Sequence, residues 1–261
     1  MYYPWPSKFP PVASTRSVGE LMRHPDFDAA KHGGDRAAAE RLVADLLDPD
    51  SVAALVRAHR NARLVVVGGA TSDANQIPAA YADAITKLSA LPLDRSVLRI
   101  NSPKHTGKSA VGRFIARAQF AGALRAGANY IALDDVMTQG GTISELRQFI
   151  TRNGSRLVAV ATLAYTKSSV MSNGLQIAPT AETRARLIAQ FNPKQLGALL
   201  KSYGVYDGDI LSLTESESLM LCRFKTIEQL DSALRSEAET MVSPVPLPAE
   251  PTNQKRKACA L

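Results

Sequence analysis

Two cysteines, four histidines and one tryptophan in 261 residues leave little material for several kinds of site. Cys222 and Cys259 lie far apart in sequence, so neither a disulfide framework nor a zinc site with closely spaced ligands is expected. His24, His32 and His59 stand singly in or near turns, where surface roles outweigh catalytic ones. No Ser-His-Asp or Cys-His constellation can be defended. No apolar run approaches the roughly 18 residues of a membrane span. The opening MYYPWPSKFPPVASTR has no apolar core of a secretory signal, so a cytoplasmic protein without membrane contact is expected. Aromatics are 6% of the chain and do not interleave with a basic stripe, so nucleic acid is not the expected partner.

What is present describes an ordinary globular chain, 45% hydrophobic and 21% charged, long enough for one large or two small domains. Its net charge of +7 favours anionic partners, although part of it sits in the tail at Lys255, Arg256 and Lys257. Residues 1–16, rich in proline and aromatics, read as an extended arm that packs on a neighbour. Ser17 starts a short helix, and Asp35 caps a helix over 36–47, where Ala39, Leu42, Val43 and Leu46 share one face. Asp50 or Ser51 caps another to about 59. Apolar runs at 64–67, 96–100, 130–133 and 157–163 alternate with helices over 79–88 and 143–152. That alternation predicts an α/β fold, a parallel sheet flanked by helices, with added N-terminal and C-terminal helical segments. Further helices are expected over 182–190, 193–203, 215–223 and 227–239, with Thr214 and Glu217 forming a capping box. The chain then divides into an N-terminal cover (1–60), a core (61–179), a helical region (180–242) and a disordered tail (243–261).

One stretch, residues 130–146, carries most of the chemistry: an apolar strand, Asp134 and Asp135, then Val-Met-Thr-Gln-Gly-Gly-Thr leading into a helix. Gly140 and Gly141 permit close backbone approach to a ligand or positive φ. Thr142 and Glu145 have the spacing of a capping box. A helix N-terminus behind such a loop presents N–H groups and a positive dipole end to a phosphate. Two carboxylates would repel that phosphate and suit neighbouring sugar hydroxyls or a hydrated cation. A phosphorylated sugar is the ligand these parts describe together.

The segment from Ile131 to Thr142 resembles the signature of the type I phosphoribosyltransferases. That resemblance implies Asp134 and Asp135 on the ribose hydroxyls of phosphoribosyl pyrophosphate, and Thr138, Gln139, Gly140, Gly141 and Thr142 around its 5-phosphate. It implies a pyrophosphate loop after the first strand at Ala70, Thr71 and Ser72. It also implies a mobile catalytic loop at 101–113, whose Lys104, His105, Lys108 and Arg113 neutralise the departing pyrophosphate. Thr106–Ser109 spells T-G-K-S, but a nucleotide P-loop needs glycine where Ser102 stands, and Pro103 would stiffen it, so that reading is rejected. Tyr165, Lys167 and Ser168, just past a strand end, are positioned to face the acceptor.

The implied reaction transfers ribose 5-phosphate to a nitrogenous acceptor and releases pyrophosphate. Mg2+ assists, held by Asp134 and Asp135 directly or through water. A homodimer is expected. Members acting on 6-oxopurines usually place aspartate where this chain has Thr138, which argues against a hypoxanthine or guanine acceptor. The rival reading is a non-catalytic regulator that senses phosphoribosyl pyrophosphate, with its basic charge suited to nucleic acid.

Overall fold

Burial of two apolar faces by one sheet decides the architecture. The computed structural model describes residues 2–67, 74–101, 109–166, 170–171 and 174–242. Its main sheet has five strands: β1 (Arg16–Ser17), β2 (Ala62–Val66), β3 (Leu93–Asp94), β6 (Asn129–Met137) and β7 (Arg156–Tyr165). They lie in the order β1-β7-β6-β2-β3, and every pairing is parallel. The central strands β6 and β7 are apolar on both faces, as a parallel sheet covered on both sides requires. Two small antiparallel pairs lie apart from it, β4 (Leu98–Arg99) with β5 (Phe120–Ala121) and β8 (Val170–Met171) with β9 (Gly174–Leu175).

The expected strand at 96–100 therefore does not join the main sheet. Val97 reaches the core, but Leu98 and Ile100 are 41% and 61% exposed, so the run lacks the two buried faces of a central strand and makes only the short β4–β5 pair. The edge place goes to Leu93–Asp94, paired with Leu64 and Val65 of β2.

One face of the sheet is covered by α2 (Phe27–Lys31), α3 (Arg36–Leu46), α4 (Pro49–Ala58) and α5 (Ile77–Ser89), after a short α1 (Val18–Met22). Asp35 caps α3 through the Ala38 N–H at 3.0 Å, as expected. At α4 the cap is Asp48 rather than Asp50 or Ser51, because Pro49 takes the first helical position. The other face is covered by α7 (Gly141–Arg152) and by the amino-terminal arm. The arm's partner is this chain's own α7: Tyr3 exchanges backbone bonds of 2.7 and 2.8 Å with the Gln148 amide, and Arg147 lies 4.5 Å over the Trp5 ring.

The C-terminal helices fall close to their expected bounds: α8 (Ala181–Gln190), α9 (Pro193–Ser202), α10 (Glu215–Leu221) and α11 (Ile227–Val242). Together with α6 (Ala110–Ile115), they enclose a third core around Phe114, Leu200, Tyr206 and Leu230. The Thr214–Glu217 capping box forms.

Arg117 joins this third core to α7. Its side chain is 10% exposed and bonds Glu145 of α7 at 2.9 Å and Glu217 of α10 at 2.7 Å. Its guanidinium lies 4.1 Å over the Tyr206 ring, while the Tyr206 hydroxyl donates to Glu217. Burial disfavours the Arg117 charge, but Tyr206, Glu217 and Glu145 outweigh it and hold the guanidinium firmly protonated. Removing one member of such a cluster strands the others in an apolar interior. Arg117→Met should therefore cost about 3–5 kcal/mol of unfolding free energy in urea titrations. A loss under about 1 kcal/mol would show that Glu145 and Glu217 are solvated well enough without it.

Candidate functional site

The acid pair sits inside a strand, not beyond one. β6 stays paired with β7 through Asp134–Thr162 and Met137–Tyr165, four positions past the expected end. Its other neighbour, β2, ends at Val66 beside Leu133. Asp134 and Asp135 thus stand where the sheet loses a strand on one side. Open α/β sheets bind ligands at this carboxyl end.

Asp135 is 5% exposed and comes with partners that no local pattern announces. Its Oδ2 accepts from the Lys31 ammonium at the end of α2 and from Asn75 Nδ2 at 2.9 Å. Its Oδ1 accepts the Val136 N–H, and Asp134 Oδ1 accepts the Asp135 N–H, both at 2.9 Å. Burial, then the neighbouring Asp135 charge, push the half-buried Asp134 carboxyl up to about 8. Burial acts on Asp135 as well, but the Lys31 charge and the bonds from Lys31 and Asn75 overcome it and hold Asp135 below the usual carboxylate value. The two carboxyls are thereby pushed apart in proton affinity, Asp134 upward and Asp135 downward.

The loop that follows differs from its expected construction. Gly140, with φ 76 and ψ 3, takes the N-cap position of α7, and no side chain caps the helix. Glu145 does not close a capping box with Thr142, because the helix starts at Gly141 and leaves Thr142 inside its first turn; Glu145 bonds Arg117 instead. Both glycines answer to packing. A Cβ on Gly140 would lie 2.9 Å from the Met137 Cε, and one on Gly141 would lie 2.8 Å from Glu217 Oε1. The loop is fixed from the C-terminal side by Thr214, whose hydroxyl donates to the Gln139 carbonyl at 2.6 Å. Gln139's side-chain amide is buried, with both polar atoms unpartnered among the described residues. Thr138 is exposed, and Thr142 is half-buried in the first helical turn.

Of the other expected site residues, Arg113 lies on α6, which packs against α10 and α11. Tyr165 ends β7 beside Met137. Ala70, Thr71, Ser72, Lys104, His105, Lys108, Lys167 and Ser168 lie outside the described residues. Lys31 and Asn75 carry no sequence signal of their own. They join Asp135 across 104 and 60 positions. Among the described residues, no cluster of three or more His, Cys, Asp or Glu is arranged for a metal. The acids have the oxygen chemistry Mg2+ prefers, but both Asp135 oxygens already accept hydrogen bonds and a lysine ammonium stands against one of them. A metal held directly by this pair fits poorly.

No family model matches the chain. Over 163 residues it is 32% identical to Protein TraN of Escherichia coli, covering 61% of this chain and 36% of that protein. Over 151 residues it is 29% identical to a protein of Haemophilus influenzae named only as uncharacterized, covering 57% and 34%. The chain spans about a third of the length of these curated relatives. Among solved structures, adenine phosphoribosyltransferase from Leishmania tarentolae overlaps 49% of this chain and 61% of its own, at 15% identity and a TM-score of 0.30, too slight an overlap to argue from. Among the described residues, no helix is long and apolar enough to cross a membrane.

The raised Asp134 carboxyl makes stability depend on pH. The folded chain keeps this proton up to about pH 8, whereas the unfolded chain releases it near the ordinary value of 3.8. The resulting stabilisation is full below the lower value and is lost as pH rises through the upper one. Asp134→Asn should thus melt higher than the native chain at pH 8, by roughly 1–3 kcal/mol, with little difference at pH 4. Equal melting shifts at both pH values would show that Asp134 is ordinarily ionised.

Proposed function

We propose that the chain binds phosphoribosyl pyrophosphate at the carboxyl end of its sheet and transfers the ribose 5-phosphate group to a nitrogenous acceptor. The carrying observation is the continuous segment from Ile131 to Thr142. It places an acid pair, one carboxyl buried and one half-buried, a short loop before a helix whose N-cap, Gly140, supplies no side-chain bond. In this reading the acids face the ribose hydroxyls, and the first turn of α7, reached through Thr138 and Gln139, faces the 5-phosphate. The dipole of a 12-residue helix favours an anion there.

The chemistry asks little of any single side chain. The acceptor nitrogen's electron pair forms the bond to the anomeric carbon. The bond from that carbon to the pyrophosphate oxygen breaks with its pair on oxygen, and the acceptor proton passes to the leaving group. The protein's work is to hold both reactants in line and to balance charge as it moves to the pyrophosphate. Arg113, Lys104, His105 and Lys108 are the residues proposed for the second task, with Ala70, Thr71 and Ser72 around the pyrophosphate. Thr138, in place of aspartate, weighs against a 6-oxopurine acceptor.

Calorimetric titration with phosphoribosyl pyrophosphate should give saturable binding, and a screen across bases should find pyrophosphate release with at least one. Asp134→Asn combined with Asp135→Asn should lose that release at least a hundredfold while keeping the native circular dichroism spectrum, about 3 kcal/mol of transition-state stabilisation. Binding without release for any base would favour the sensing role. A folded chain that binds nothing would overturn both roles.

A further inference from the structure

We propose that Lys31 supplies, at the acid pair, the positive charge that a divalent cation would otherwise bring, so that sugar-phosphate binding there does not depend on Mg2+. The inference rests on the phosphoribosyl reading and concerns how that site is charged. Lys31 is the last residue of α2, and its ammonium contacts Asp135 with 26% of the lysine side chain and 8% of the aspartate side chain exposed. An ion pair this sheltered is screened far less than one at the surface.

Lys31 is also held in place. Ala30, one residue earlier, is completely buried in the core beneath the sheet. The Ala30 carbonyl accepts the Gln76 N–H at 2.9 Å, and the Gly34 N–H donates to the Ala74 carbonyl at 3.0 Å. These two bonds tie the end of α2 to the segment carrying Asn75, which is Asp135's second partner. Farther back, Arg41 of α3 grips Asp26 at the start of α2 through two bonds. Lysine, asparagine and aspartate thus form one unit, braced from both ends of a short helix.

That unit disfavours a metal and favours a sugar. A dication entering against Asp135 would displace the ammonium or sit beside a like charge. Both Asp135 oxygens already accept hydrogen bonds, so the entering ion would gain little in return. The ammonium, by contrast, has three donors, and among the described residues it spends one on Asp135, so ribose hydroxyls can take the others. The exposed fraction of Lys31 gives a ligand a path to them.

The test is titration of the full chain with ribose 5-phosphate, which carries no diphosphate to recruit a metal by itself, in EDTA and in excess Mg2+. The native chain should bind within twofold equally in the two buffers. Lys31→Met should weaken binding at least tenfold in EDTA and recover part of it in Mg2+, while Lys31→Arg should stay near native. A native chain that binds at least tenfold more weakly in EDTA overturns the inference and leaves the phosphoribosyl reading standing. Absence of binding in both buffers, with the chain folded, overturns that reading itself. Should Lys31→Met fail to fold, the native comparison of the two buffers still decides.

Discussion

The buried guanidinium of Arg117 is the interaction on which the arrangement of α7 depends. It meets two carboxylates from different parts of the chain, Glu145 on α7 and Glu217 on α10, and it also reaches the Gly141 carbonyl at the start of α7. A buried ion cluster is poor evidence for net stability, since desolvation offsets most of its attraction. Its value is in position. With Glu217 committed to Arg117, to Tyr206 and to its own capping box, α10 has one seat against the first turn of α7. Gly141 is required there because a side chain would collide with the cluster. The C-terminal helices are therefore a support for the loop that carries the candidate phosphate site.

The same cluster explains why part of the site was legible in the sequence and part was not. In residues 131–142 the strand and the glycine turn are legible because each is a local pattern, but the strand's end is not: β6 runs on through both acids to Met137, held by its pairing with β7. The capping box at Thr142 and Glu145 satisfied the same local rule and did not form. The helix starts early, with Gly140 at the N-cap, so Thr142 falls inside the first turn, and Glu145 meets Arg117 28 positions away, where burial pushes its carboxyl up against the pull of Arg117. Thr214 and Glu217 did form theirs, because the Thr214 N–H and the ion pair use different oxygens of Glu217. The rule held where the threonine is the N-cap and failed where a glycine took that place two residues earlier.

Strands divide in a similar way. β6 and β7 are buried on both faces, so their apolar runs stand out. The edge strand β3 is two residues long and half-buried, below what an apolar run can signal. The run at 96–100 is more apolar than β3 and lies outside the sheet, since Pro92, Leu93 and Asp94 already serve as the edge beside β2. The arm's aromatics indicated packing, but its seat on Arg147 and Gln148 follows from pairings about 145 residues apart. Lys31 was invisible for the same reason.

Acids and phosphate can share a site only if the acids are not fully charged. Two ionised carboxylates one turn of chain from a helix N-terminus would oppose the anion that the helix dipole attracts. Here Lys31 balances Asp135, and burial beside that charge keeps Asp134 protonated to about pH 8. The pair and the lysine then come close to neutral together, and the positive end of α7 meets no opposing charge from the acids, as the proposed phosphate site would need. The cost is a carboxyl held against its ordinary ionisation by burial and by the Asp135 charge. Burial that raises the Asp134 carboxyl lowers the negative charge an anion would meet there, which is the condition the proposed sugar-phosphate site sets.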